Sequence, residues 1–129
     1  VPTLRNIELT GPYMHNGGMK NLEEVVLFYA RRVDFFRQNI DNLDPDVDGV
    51  PEVIEDKKKV KALVDFLKSL TDERVRKQNA PFDHPELIVP NGHKNKKGNL
   101  EDDDLLFPAV GKDGGDALKT FEEILEGKR

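Results

Sequence analysis

Apolar positions in this 129-residue chain fall into two helical stripes, with irregular stretches before, between and after them. Leu22, Val25, Val26, Tyr29 and Val33 recur at i, i+3, i+4, i+7 and i+11, one face of a 3.6-residue period, and Phe28, Phe35 and Phe36 thicken that face. The spacing predicts a helix from Asn21 to about Arg32 or beyond, with Tyr29 turned inward beside Leu22 and Val25. Asn21 suits the N-cap, Glu23 and Glu24 suit the positive end of the helix dipole, and Arg31 and Arg32 suit its C-terminal half. Val60, Leu63, Val64, Leu67 and Leu70 make a second stripe, which predicts a helix over 57–70. Lys57, Lys58, Lys59, Lys61 and Lys68 then face water, as a solvated face or a docking patch.

Residues 1–20 show neither period. Pro2 and Pro12 fix φ, and Gly11, Gly17 and Gly18 permit turns that other residues resist. A loop this irregular must be held by packed side chains, a ligand or an ion. Carrying Arg5, His15 and Met14 into an amphipathic helix, it reads as the wall of a cofactor pocket or as a surface loop with turn chemistry. In 72–113, Pro81, Pro85, Pro90 and Pro108 forbid a long helix among scattered apolar residues such as Phe82, Leu87, Ile88 and Val89. The expectation there is an extended arm laid over other protein surface. Gly114-Gly115-Asp116 is expected to open a last helix with Ala117, Leu118, Phe121, Ile124 and Leu125 inward.

Composition narrows the classes. With 36% hydrophobic against 35% charged residues, a self-sufficient core is thin. The net charge of −5 argues against nucleic acid. No apolar run approaches the ~20 residues needed to cross a bilayer. The chain has no cysteine, so its residues cannot attach a haem through a Cys-x-x-Cys-His motif. Asp44, Asp46, Asp48, Gly49 and Glu55 match the D-x-D-x-D-G-x5-E spacing of a calcium loop, although Pro45 and Pro51 stiffen it. The other reading of that stretch is an acidic turn.

The run Val-Pro-Thr-Leu-Arg-Asn, then Leu-Thr-Gly-Pro-Tyr-Met-His-Asn-Gly-Gly, then Asn-Leu-Glu-Glu-Val-Val resembles the C-terminal haem domain of bacterial di-haem cytochrome c peroxidases and their methylamine-utilisation relative. The likeness is dense over residues 1–30, looser through Ala62–Thr71 and weak beyond residue 72. It implies a mainly α fold: residues 1–71 as the C-terminal part of a cytochrome c-like haem domain, and 72–129 as a long irregular tail ending in a helix. It also implies that the chain is the C-terminal piece of a longer periplasmic di-haem protein, whose haem c is attached by upstream residues. Such enzymes use hydrogen peroxide and pass electrons through a C-terminal haem.

The resemblance also assigns residues. The family's axial methionine position falls on Tyr29, as tyrosine does in the methylamine-utilisation type, which oxidises a residue of a protein substrate. An ordinary core tyrosine with a backbone partner is the other reading. Met14 and Met19 would serve as ligands only in a shifted register. His15 matches a histidine beside the haem, and Arg5 an arginine near its propionates. Thr10 and Pro12 match two backbone-carbonyl ligands of a calcium between the haem domains. His84 and His93 match no ligand spacing and read as surface residues. The implied partners are the N-terminal haem domain of the same protein, a small cytochrome or copper protein or a protein substrate, and a second copy in a homodimer. A non-catalytic calcium-binding or docking module is the remaining alternative.

Overall fold

A computed structural model describes residues 3–31, 38, 40–47, 50–53 and 56–127. The chain divides into two compact units, residues 1–72 with 119–129, and residues 73–118.

In the first unit, helix α1 spans Leu22–Ala30. Asn21 caps it, its side chain accepting from the Glu24 N–H at 2.9 Å. Continuation to Val33, Phe35 and Phe36 falls outside the described residues. A short helix, α2, covers Val50–Val53. Helix α3 covers Lys57–Ser69, and Asp56 caps it by accepting from the Lys58 and Lys59 N–H groups. The core sits where α1 meets α3: Val26 and Val60 are 4% and 7% exposed, and Ala30, Val50, Leu63, Val64 and Leu67 pack around them. Burying each valine contributes about 1.5 kcal/mol or more. The lysines of α3 lie on its exposed side, as the second stripe predicts.

Tyr29 departs from the expectation that it points inward. It is 37% exposed, whereas Leu22 and Val26 are buried. At about 100° per residue, Tyr29 lies roughly 60° round the helix from Val26, on the border of the arc that α3 covers.

The largest correction concerns the fold class. The chain is 38% helical and 21% strand, so it is not mainly α, and no c-type cytochrome fold is shown. In the second unit, after helix α4 (Glu73–Arg76), strands β1 (Leu87–Lys96) and β2 (Asn99–Phe107) pair antiparallel. They occupy the stretch read as an arm without periodic structure. Lys97 and Gly98 both take positive φ, 53° and 89°, which is the backbone of a two-residue turn matched to strand twist. Asn95 holds that turn by accepting from the Gly98 N–H. The register runs from Leu87 opposite Phe107 to Lys96 opposite Asn99, with a bulge between Pro90 and His93. Pro90, lacking an N–H, sits beside that irregularity. His84 N–H and O bond Val110 below the strands, and Ala80, Gly115 and Leu118 N–H groups reach Lys112, Lys77 and Arg76 carbonyls.

The last helix also differs from its expectation. α5 spans only Phe121–Leu125 in the first unit, and Ile124 and Leu125 are exposed rather than inward. Thr120 starts it through a reciprocal capping box with Glu123. Gly114-Gly115-Asp116 lies outside the helix.

Candidate functional site

The loop before α1 is held by its own side chains. Asn6 takes a left-handed conformation, donates its N–H to Leu70 O at 3.0 Å and accepts from the Asp72 N–H at 2.8 Å. Thr71 donates its hydroxyl to the Glu8 carboxylate at 3.1 Å. These bonds fasten the loop to the end of α3. Tyr13 is the central strut: its hydroxyl donates to Ile7 O at 2.9 Å, with Glu8 O a longer second acceptor. Its backbone pairs with Met19, so residues 13–19 form a small hairpin whose turn uses positive φ at Met14 and Gly17.

The loop also meets α5. An added Cβ at Gly11 would lie 2.8 Å from Phe121 Cβ, so glycine is required by this close approach. Asn21, besides capping α1, donates its side-chain N–H to Glu122 at 2.7 Å. These elements enclose a cavity of about 130 Å³ lined by Glu8, Tyr13, Lys20, Leu22, Val64 and Phe121, among others. Burial, with Glu8 and Glu122 adding negative charge nearby, pushes the Tyr13 phenol up to about 12.

Sequence reasoning missed Tyr13 as the residue that organises the loop. A tyrosine between a proline and two glycines, in a stretch with no period of its own, was the available signal.

The residues assigned by resemblance take different surroundings. Tyr29 lies in the last turn of α1 with its ring edge-on to Phe28, centroids 5.3 Å apart, and the Arg31 guanidinium stacks over Phe28. The Tyr29 hydroxyl has no hydrogen bond among the described residues, in contrast to Tyr13. His15 is exposed at the tip of the 13–19 hairpin, and Arg5 is exposed at the loop's start. Neither side chain has a partner among the described residues, and no bond joins Arg5, His15 and Tyr29 to one another. The Thr10 and Pro12 carbonyls flank Gly11 and accept no hydrogen bond among the described residues. Met14 and Met19 are half-buried in the loop.

Asp44 accepts from the Asp46 N–H in a tight turn, while Asp48, Gly49 and Glu55 lie outside the described residues. Among the described residues no group of three or more His, Asp or Glu side chains is placed to hold a metal ion. His84 is half-buried, with ring nitrogens against Gln78 and the Pro85 carbonyl, and so is no simple surface residue. His93 is exposed and pairs with Asp102 at 3.0 Å.

A haem asks the protein for an axial donor atom, cationic partners for its propionates and thiols for covalent attachment. The Tyr29 oxygen and the Arg5 guanidinium, neither bonded to another side chain among the described residues, fit the first two. The third cannot come from a chain without cysteine. No helix among the described residues is long and apolar enough to cross a membrane.

No protein-family model and no solved structure matches the chain. Curated relatives do. The chain is similar to the methylamine utilization protein MauG of Paracoccus denitrificans, 38% identical over 90 residues that cover 57% of this chain and 23% of that protein. It is also similar to a cytochrome-c peroxidase of Denitromonas iodatirespirans, 61% identical over 29 residues, and to the cytochrome c551 peroxidase of Nitrosomonas europaea, 69% identical over 26. Those short matches cover 22% and 20% of this chain and 8% of each relative. The chain therefore spans less than a quarter of the length of the curated relatives it matches. Homologues named MauG and di-haem cytochrome c peroxidases thus match parts of this chain, and these partial matches support the di-haem peroxidase superfamily.

Proposed function

We propose that this chain is the C-terminal part of a periplasmic di-haem oxidoreductase of the peroxidase superfamily, in which Tyr29 supplies the axial oxygen to the C-terminal haem. The observation that carries the reading is the contrast between the two tyrosines: Tyr13 is committed to backbone carbonyls, while the Tyr29 hydroxyl has no hydrogen bond among the described residues. The haem, bound through thiols outside this chain, supplies the redox chemistry, with hydrogen peroxide as oxidant.

This chain's own part is to hold and orient. α1 carries Tyr29, and Asn21 fixes the start of that helix by its cap and its tie to Glu122. A phenolate oxygen on iron favours the ferric state, whereas a methionine thioether would favour the ferrous one. Arg5 would pair with a propionate carboxylate, and His15 would donate a hydrogen bond beside the haem. The Thr10 and Pro12 carbonyls would add two oxygens to a calcium whose other ligands would come from outside the chain. Because tyrosine disfavours a high-potential electron entry point, the reading that follows is oxidation of a residue in a protein substrate. Electron entry from a small cytochrome or copper protein is the peroxidase alternative.

The deciding experiment is Tyr29→Phe in the haem-bearing polypeptide. The low-spin ferric signal should shift and the haem potential should rise. An unchanged signal removes Tyr29 as the ligand.

A further inference from the structure

Helix α5 is too short to stand by itself. It has five residues, Phe121–Leu125, none of them buried, and Ile124 and Leu125 are each 60% exposed. Isolated helices shorter than ~12 residues are marginal in water, so α5 depends on its capping box and on what it rests against. Within its compact unit it rests on the two ends of the segment 11–21. At one end Phe121 closes over Gly11, where an added Cβ would lie 2.8 Å from Phe121 Cβ. At the other, the Glu122 carboxylate accepts from the Asn21 side-chain amide at 2.7 Å. Between these points lies the 13–19 hairpin, which Tyr13 N–H closes on Met19 O at 2.7 Å and Gly17 N–H on Met14 O at 3.1 Å.

Asn21 serves two elements with two different atoms. Its Oδ1 accepts from the Glu24 N–H and starts α1, while its Nδ2 holds α5. The first bond is local to α1 and survives a movement of α5, so the second can break alone. Thr120, Phe121 and Glu122 also form one wall of the cavity, facing Tyr13, Leu22 and Val64 among others. Lifting α5 therefore opens the cavity and frees both ends of the hairpin, while the Val26–Val60 contact between α1 and α3 stays closed.

We propose that residues 120–125 are a releasable strap: docked, they close the Tyr13 cavity and order the 13–19 hairpin, and they release both when the contacts at Gly11 and Asn21 part. Opening is then a local event that needs less free energy than global unfolding.

Amide exchange on the full chain tests this. Asn21→Asp keeps the oxygen that caps α1 but sets a carboxylate against Glu122, and it should speed exchange at Tyr13 and Gly17 by about tenfold or more. Adding Glu122→Gln to that variant reverses donor and acceptor, and should return the hairpin amides to within about twofold of the unmodified chain. Phe121→Ala leaves every charge in place. It should also speed the hairpin amides, and the Tyr13 phenol, held up at about 12 chiefly by burial, should fall back toward 10. In all three variants the amides of Val64 and Leu67 in α3 should change by less than about twofold. Unchanged hairpin exchange in Asn21→Asp or Phe121→Ala overturns the proposal, as does a double variant that does not recover. Acceleration of the α3 amides in step with the hairpin also overturns it, because α5 would then be a fixed part of the core.

Discussion

Tyr13 and Tyr29 are the chain's two tyrosines, and their hydroxyls have opposite fates. Folding holds the proton on Tyr13, so the stability it contributes is complete below pH 10 and is lost as pH rises through about 12. Denaturant titrations at pH 9 and pH 11 should show this decline, and Tyr13→Phe should flatten it. At neutral pH the same substitution removes the bond to Ile7 O and should cost about 1 kcal/mol. A phenol absorbance titration checks the assignment, since Tyr13→Phe should delete the late-titrating step. Gly11→Ala is the second residue-scale test. The new methyl would meet Phe121 Cβ, which has no rotamer to escape by, so a loss of roughly 1–3 kcal/mol is expected in thermal or urea unfolding.

Among the elements, α1 and α3 were legible because apolar residues recur at helical spacing, supported in α1 by the Asn21 cap and by Glu23 and Glu24 in its first turn. Val60, Leu63, Val64 and Leu67 do face the core. Reading Tyr29 as inward failed because period alone marks an apolar face without saying which part of it a neighbour covers. The hairpin escaped notice for a different reason. Leu87-Ile88-Val89 and Leu105-Leu106-Phe107 do not alternate with polar residues, and Lys97-Gly98 lacks the Asn-Gly or Asp-Gly signature of such turns. Helix α5 did announce itself, through Thr120-x-x-Glu123, its cap four residues after Asp116, where the helix was expected to open.

Two predictions belong to this scale. The N–H bonds from Lys59 and Lys58 hold the Asp56 carboxyl below its ordinary value of 3.8, so its support for α3 is present above that pH and fades as pH falls. Asp56→Asn should keep the cap and reduce the acid sensitivity of helical circular dichroism. Gly98→Ala forces a side chain to φ +89° in open space, and should loosen the hairpin by about 1 kcal/mol, read as faster amide exchange along β1 and β2.

At the level of the whole molecule, burial is distributed unequally. Leu22, Val26 and Val60 are the buried hydrophobic side chains among the described residues, and all three lie in the unit formed by residues 1–72 and 119–129. Residues 73–118 are ordered by backbone pairing and exposed ion pairs, which contribute little each. The loop that carries Arg5 and His15 and the helix that carries Tyr29 therefore rest on a small core. Val26→Ala should cost about 2 kcal/mol, a large share of the stability of a unit this size. The melting temperature by circular dichroism should fall by about 10 °C. Ile88→Ala, made at an exposed position of β1, should stay within about 0.5 kcal/mol. Comparable losses at Val26 and Ile88 would show that the loop and α1 do not depend on the α1–α3 contact alone.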